Sequence, residues 1–371
     1  MLNFYEFVEK LTEEMQGRYP ECLVKVQDIQ KTNCVRTGLV MIKIDETDET
    51  REISPVFYLD DLYELHQNGT CLEEITEKLS DFINSSFEDI PSVKKVISDI
   101  KDWNHVKDNL FLKVVNGRDN QKMVKECVHS EFLDLAIIPY VQLKDEMTTT
   151  VKKEFTSLWS VSDEEIIHAA RQNMLEQKPV TVTNLQELLK QMIIKDLGPK
   201  EEIPEELSYI FEEEPSDSES MTVITTPDRH WGAYYICEDV FKNISEQIYN
   251  GQDLLIFPSS IHEIIAVPLE DIDVRETKEM VMQINENEVE TEEQLGNNVY
   301  RYVAKTGDIV FADAKEDRRI CFRKPYAALG EQFEVGEVVD VFTYCGTQNY
   351  VKRNGKVIRI PKNVCCRGCK R

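Results

Sequence analysis

The sequence predicts an α+β fold, with two mixed α/β lobes followed by a small β-rich C-terminal tail. Stretches with apolar residues at helical spacing alternate with short runs of β-branched and aromatic residues, as in layered folds of helices and strands. Some of these runs are too apolar to face water, for example LAIIPYV at 135–141. The charge also changes along the chain: residues 314–371 hold 13 Lys or Arg against 6 Asp or Glu, although the whole chain carries −26. This shift predicts a boundary near residue 313.

The predicted N-terminal lobe covers residues 1–200 and begins with a helix. Two strands separated by a Lys-Thr-Asn turn follow, and then helices alternate with strands. VKKEFTSLW is predicted to be a strand that leads into a helix, which Ser162 caps and in which Glu165 completes a capping box. The spacing predicts helices over 2–17, 72–83, 93–102 and 183–195, and strands over 22–30, 36–44, 109–115 and 131–143.

Residues 201–220 are predicted to be an acidic linker, because they contain nine acids, two prolines and no base. The second lobe, residues 221–313, is predicted to open with a hairpin of TVITT and WGAYYI. A basic, cysteine-containing tail then covers residues 314–371. The remaining elements predicted for the second lobe are helices over 240–249 and 271–287, a strand–turn–strand at DLLIFPSSIHEIIAVP, and strands at NNVYRYV and DIVFA.

Composition excludes several classes of protein. The net charge of −26 disfavours nucleic acid or an anionic membrane as the partner of the whole molecule. No stretch approaches 18 consecutive apolar residues, and the chain does not open with a basic segment followed by an apolar run. We therefore expect a cytoplasmic protein in which the ten cysteines are reduced thiols. Neither G-x-G-x-x-G nor G-x-x-x-x-G-K-[ST] occurs, so a Rossmann or P-loop enzyme is not expected.

Five segments are informative together: NFYEFVEKL, ISPVFYLDDLYE, FLDLAIIPYV, LWSVSDEEIIHAARQN and IFPSSIHEIIAVP. In these segments the chain resembles an uncharacterised domain-of-unknown-function family of bacterial cytoplasmic proteins. The resemblance covers about residues 1–313, and PSSIHE is its most distinctive motif. It implies a bacterial origin, an α+β fold and no established activity. The basic tail does not match the body of this family.

The PSSIHE turn brings Ser259, Ser260, His262 and Glu263 together within five residues. A hydroxyl beside an imidazole is the pairing of a nucleophile with its base, so Ser260, His262 and Glu263 are candidate catalytic residues. However, no G-x-S-x-G elbow surrounds either serine, and the second histidine of H-E-x-x-H is absent. The alternative is a turn whose Ser and His side chains bond to the backbone at a strand end, and the sequence favours it.

The tail suggests a metal site and a nucleic-acid site. Cys366 and Cys369 have the spacing of a zinc knuckle, and Cys345 with Cys365 or Cys321 would complete four thiolates. A terminus with free thiols is the alternative, because only one knuckle is present. NYVKRNGKVIRI is predicted to be a hairpin with an Asn-Gly type I′ turn. That register places Tyr350, Lys352, Val357 and Arg359 on one side, which would suit base stacking and phosphate contacts. Docking of the basic tail on the acidic body is the favoured alternative.

We therefore predict a non-enzymatic binding or interaction protein, with an unknown protein as partner and no membrane association. No cofactor is expected, apart from possible zinc in the tail at Cys345, Cys365, Cys366 and Cys369. The first alternative is a hydrolase that uses His262 with Ser259 or Ser260 and Glu263. The second is a nucleic-acid-associated protein that acts through the tail.

Overall fold

A computed structural model describes residues 2–43, 56–88, 98–143, 148–197, 211, 221–270, 272–314, 318–346 and 348–367. The fold is α+β, as the sequence predicts. The helices are α1 Phe4–Arg18, α2 Leu59–Gln67, α3 Leu72–Glu88, α4 Trp103–Val106, α5 Gln121–Glu126, α6 Glu154–Trp159, α7 Asp163–Gln177, α8 Leu185–Leu197, α9 Phe241–Gln247 and α10 Val274–Asn287.

The strands form six separate sheets within the described residues. In chain order they are β1 Cys22–Gln30, β2 Val35–Lys43, β3 Val56–Tyr58, β4 Leu110–Asn116, β5 Ser130–Phe132, β6 Leu135–Gln142, β7 Thr148–Thr150, β8 Thr181–Asn184, β9 Thr222–Thr225, β10 Leu254–Pro258, β11 Ile264–Pro268, β12 Tyr300–Val303, β13 Asp308–Phe311, β14 Arg319–Phe322, β15 Tyr326–Ala328, β16 Glu331–Phe333, β17 Val338–Asp340, β18 Thr343–Cys345, β19 Gln348–Arg353, β20 Lys356–Ile360 and β21 Cys365–Arg367.

The first unit of the chain has a core of its own. Strands β1, β2 and β3 form an antiparallel sheet, and helices α1, α2 and α3 contribute to its apolar side. Asn3 caps α1 and completes a capping box with Glu6, which explains why the helix begins there. Phe7, Leu11 and Met15 recur at helical spacing and are fully buried in this core.

The main core lies between two antiparallel sheets. One contains β4, β5, β6 and β7, and the other has the order β13-β12-β10-β11-β9-β8. Helix α7 lies against β4, and its buried residues Ile166, Ala170 and Met174 belong to this core. Ser162 and Glu165 form the predicted capping box at its start. In β10, alternate residues face opposite sides of the sheet, so Leu255 and Phe257 pack beneath α10.

The C-terminal unit consists of short strands around a small core that includes Phe322, Phe333 and Ile358. The predicted hairpin forms as β19 and β20, with Tyr350 opposite Arg359 and Lys352 opposite Val357. Its turn residues Asn354 and Gly355 have φ values of 49° and 78°, as a type I′ turn requires.

Three predicted elements are wrong. The single strand predicted over 131–143 is two antiparallel strands, β5 and β6, joined by a turn in which Leu133 has a φ of 51°. Residues 154–159 form helix α6 rather than a strand, and the strand of this region is the shorter Thr148–Thr150. WGAYYI does not pair with TVITT: Gly232–Cys237 is a 3₁₀ helix, and β9 pairs instead with β8 and β11. The physical reason is tertiary: β8 and β11 pair with the two edges of β9, so neither edge is left for a hairpin partner.

The main core draws residues from Val106 through Tyr350, and therefore from both sides of residues 201–220 and of the boundary near 313. Except for Phe211, the proposed acidic linker lies outside the described residues, as does part of the helix predicted over 93–102. The division into domains at these positions stays a prediction. Among the described helices, none combines the length and apolarity needed to span a bilayer.

Candidate functional site

The PSSIHE turn joins β10 to β11, and its hydroxyl groups are used within the turn. Ser259 Oγ donates to Glu263 Oε1 at 2.9 Å, and Ser260 Oγ accepts the backbone N–H of His262 at 3.0 Å. The carbonyl of His262 accepts a hydrogen bond from Thr225 Oγ1 at 2.9 Å, which ties the turn to β9. These contacts match the structural alternative for the motif, in which Ser side chains satisfy groups at a strand end.

The imidazole of His262 bonds to neither serine in the described part of the chain. Its Nδ1 accepts the backbone N–H of Trp231 at 3.3 Å, and its Nε2 lies 3.4 Å from Glu293 Oε1. Burial lowers the pKa of His262, and the attraction of Glu293 opposes that shift only in part. The neutral ring therefore carries its proton on Nε2, and the lone pair of Nδ1 accepts the backbone N–H of Trp231.

This arrangement does not assemble the hydrolase alternative. A serine nucleophile needs a base within hydrogen-bond reach of its hydroxyl. Ser259 and Ser260 point to other partners, and His262 has no free lone pair to take their proton. The candidate catalytic set of Ser260, His262 and Glu263 is brought together in space without the contacts that catalysis requires.

Trp231 is held in an unusual backbone conformation beside this turn. Its φ of 61° and ψ of 20° are left-handed, which a bulky residue adopts only where the surroundings enforce it. The next residue must be glycine, because a Cβ on Gly232 would lie 2.5 Å from both His262 O and Thr225 Cα. The indole is thereby fixed against the ring of His262, with the ring centroids 5.3 Å apart.

Lys113 also contacts the Trp231 indole. It occupies the middle of β4, a strand that is buried along its whole length, and is only 8% exposed. Its Nζ lies 5.1 Å from the centroid of the Trp231 ring, a cation–π contact. Among the described residues it makes no ion pair and no hydrogen bond. Burial is the main cause that lowers the pKa of Lys113 to about 8, and the nearby charge of Lys31 acts in the same direction.

Tyr140 is a second buried group near the indole. It lies in β6, opposite Phe111, on the same face of the sheet as Lys113. Its ring centroid is 5.6 Å from that of Trp231, and the residue is 1% exposed. Its hydroxyl has no hydrogen-bond partner in the described chain, although buried hydroxyls are normally satisfied. Burial, together with the charge of Asp228, raises its pKa.

Lys178, the C-cap residue of helix α7, gives a contrasting case against the same sheet. It is also 8% exposed, and its Nζ lies 5.0 Å from the centroid of the Phe111 ring. Unlike Lys113, it forms an ion pair with Asp228. Burial alone would raise the pKa of Asp228, but Lys178 and the hydrogen bond from Thr226 outweigh it, so the pKa is lowered. The pair lies on the wall of a cavity of about 650 Å³.

The turn between β1 and β2 contacts the segment that carries Glu293. Asn33 Nδ2 donates to the carbonyls of Thr291 and Gln294 at 2.8 Å and 2.6 Å, next to Glu293. Lys31 lies 3.6 Å from Glu292. We call the group of Lys113, Tyr140, Trp231 and His262 the indole site.

The four predicted zinc ligands are not brought together where they are described. Cys345 contacts Asn298 Oδ1 at 3.4 Å, on the face of the hairpin sheet that carries Tyr350. Cys365 accepts a hydrogen bond from Asn349, on the opposite face. Cys366 lies opposite Cys321 in the register of β21 and β14. Within the described residues, no three His, Cys, Asp or Glu side chains form a group that could hold a metal. Cys369 lies outside these residues, so a zinc site that includes it stays a prediction.

The hairpin of the tail packs onto the body with the face that carries Tyr350 and Lys352, the face predicted to suit nucleic acid. Tyr350 is 1% exposed, and its ring centroid lies 5.6 Å from that of Phe311. Lys352 forms an ion pair with Asp308. Tyr350 is therefore not available to stack on bases, and the favoured alternative, docking of the tail on the body, describes these contacts.

The indole site was largely missed by sequence reasoning. His262 was found through its motif, but Lys113 was read only as part of the strand NLFLKVV. The sequence did contain one signal: Lys113 lies within the run LFLKVV, which is otherwise apolar and therefore too apolar to face water. The sequence did not indicate a functional role for Trp231 or Tyr140, because each lies in an apolar segment that is also typical of a hydrophobic core.

The chain belongs to DUF5688, a family of unknown function whose family model matches residues 4–304. This confirms the resemblance noted for residues 1–313, and the match ends before the tail begins. The indole site lies within the matched residues. No curated protein and no solved structure matches the chain significantly.

Proposed function

We propose that this protein is a non-enzymatic binding protein for a small anionic ligand, which it holds at the indole site. The observation that carries the proposal is Lys113, a residue that is only 8% exposed and whose Nζ has no counter-ion among the described residues. A buried charge without a partner is unfavourable, because it loses its hydration without gaining a compensating interaction. An anion bound beside Trp231 would supply that interaction.

Two further features support an anion rather than a cation. Tyr140 has a buried hydroxyl without a partner in the described chain, and this hydroxyl is able to donate a hydrogen bond to an anionic oxygen. Lys31 adds a second positive charge near Lys113, although it is paired at 3.6 Å with Glu292. A group that supplies a positive charge and a neutral donor around an aromatic ring matches the polar contacts that orient small ligands.

The proposal is tested by titrating the full chain with inorganic phosphate and with acetate while Trp231 fluorescence is recorded. We expect a saturable change in the wild type and in Lys113→Arg, which keeps the charge. Lys113→Met should weaken binding at least about tenfold, since it removes a charge-assisted contact. Trp231→Phe serves as the control for the signal, because two other tryptophans remain.

Equal responses of the wild type and Lys113→Met would contradict the proposal, and so would a wild type that responds to neither anion. A native mass spectrum of the purified protein gives an independent measurement. An excess mass that is present in the wild type and absent from Lys113→Met would identify a retained ligand at this site. The predicted protein partner and the cytoplasmic location stay predictions.

A further inference from the structure

The indole site contains a primary amine in surroundings that differ from those of an ordinary anion-binding lysine. Anion-binding ammonium groups are usually hydrated, and hydration keeps them protonated. Lys113 instead projects from the middle of a fully buried strand, between Leu112 and Val114, onto the face of an indole. Desolvation and a nearby cation are the two conditions that convert a lysine into a nucleophilic amine.

We propose that Lys113 binds its ligand covalently and reversibly, as an imine formed with the carbonyl group of an anionic aldehyde or 2-oxo acid. This inference rests on the proposed function, since it names the class of anion that the site holds. The burial of Lys113, the absence of a counter-ion for it among the described residues, and its position against Trp231 carry the inference.

The step balances without an oxidant, a reductant or a metal. The neutral Nζ of Lys113 attacks the carbonyl carbon, so that a C–N bond forms and the carbonyl π bond breaks to give a carbinolamine. Both protons of Nζ pass to the oxygen, one as the carbinolamine forms and one as it breaks down, so the oxygen leaves as water while the nitrogen electron pair forms the C=N bond. Addition of water to the imine reverses each step and releases the ligand.

The surroundings of Lys113 favour this chemistry in two ways. With a pKa of about 8, about one fifth of Lys113 is neutral near physiological pH, whereas an exposed lysine is almost entirely protonated there. Protonation of the imine nitrogen gives a cation against the indole face, where Trp231 stabilises positive charge. Tyr140, whose hydroxyl has no partner in the described chain, is a donor that remains available near the same ring.

The inference is tested with glyoxylate, a small anionic aldehyde, followed by borohydride reduction of the full chain at pH 8. Reduction converts an imine into a stable secondary amine, which peptide mass spectrometry locates. We expect Lys113 to be labelled about tenfold faster than the exposed Lys25, since more of its amine is neutral. Acetaldehyde, which lacks the carboxylate, should label Lys113 about tenfold less, because it loses a charge-assisted contact.

Labelling of Lys113 at the rate of Lys25 or below would overturn the inference. Lys113→Arg separates it from the proposed function, because this variant keeps the charge and has no reactive primary amine. Glyoxylate binding by wild type and Lys113→Arg, with no reduced adduct in either, would leave the binding function standing and refute the imine. Binding that is unchanged in Lys113→Met would refute both.

Discussion

Lys113, in the middle of β4, and Lys178, at the end of α7, are two buried lysines that lie against aromatic rings of one core. Each is 8% exposed, and each places its ammonium about 5 Å from an aromatic centroid, that of Trp231 or of Phe111. Lys178 is neutralised within the fold by Asp228, whereas Lys113 has no carboxylate partner among the described residues. The comparison teaches that burial alone does not identify a functional lysine. The informative property is that Lys113 has no counter-ion in the part of the chain that the structure describes.

The largest expected effect is that of Lys113→Met on stability. At pH 7 Lys113 is protonated in the wild type. Its pKa is about 8 in the folded chain and about 10.5 in the unfolded chain. This difference corresponds to about 3 kcal/mol of destabilisation, which methionine of similar volume removes. Chemical denaturation should therefore show a gain of this order. A loss of stability would mean that Lys113 has a structural partner, as Lys178 has.

The same difference should depend on pH. A lysine with a lowered pKa is neutral in the folded state before it is neutral in the unfolded state, so the unfolded state binds more protons between about pH 8 and pH 10.5. The free energy of unfolding contributed by Lys113 thus rises through this window, and the advantage of Lys113→Met shrinks. Cys127 and Lys31 are the other titratable groups that act on Lys113. Unfolding curves of both proteins at several pH values check this.

The opposite sign is expected for Asp228→Asn. This change keeps an oxygen that accepts from Thr226 and His230 but removes the counter-ion of Lys178. We expect a loss of about 2 kcal/mol, less than for a fully buried pair, because the Asp228 side chain is 45% exposed. The pKa of Asp228 is lowered, so the difference from wild type should be present above pH 4 and disappear as the pH falls through the folded-state pKa.

The smallest expected effect concerns two tyrosines. Tyr140→Phe removes a buried hydroxyl without a partner in the described chain and should stabilise the protein by about 1 kcal/mol. Tyr235 is buried to the same extent, but its hydroxyl donates to Lys178 O at 2.7 Å. Tyr235→Phe should therefore destabilise by about 1 kcal/mol. If both variants were destabilised equally, Tyr140 would have a partner and would not be a free donor at the indole site.

Local chemistry explains what the sequence predicted well. Asn354-Gly355 sets the turn, and hence the register of β19 and β20, while Ser162 with Glu165 sets the start of α7. WGAYYI was misread because its β-like composition gives way to tertiary contacts at Gly232. Lys113 was missed for the same kind of reason. Whether a lysine in a strand meets a carboxylate depends on segments more than a hundred residues away, about which its own segment carries no information.

The long-range hydrogen bonds of Asn33 also bear on the order in which the chain folds. Its side-chain amide donates hydrogen bonds to the carbonyls of Thr291 and Gln294, which are 258 and 261 residues away from Asn33 in the sequence. The indole site likewise joins β4, β6, the Trp231 segment and the PSSIHE turn, so nearly all of its contacts are non-local. Such contacts form late, after the entropy of closing long loops has been overcome. The site should therefore be absent from nascent chains and early folding intermediates, and ligand occupancy would report that all of these segments have folded together.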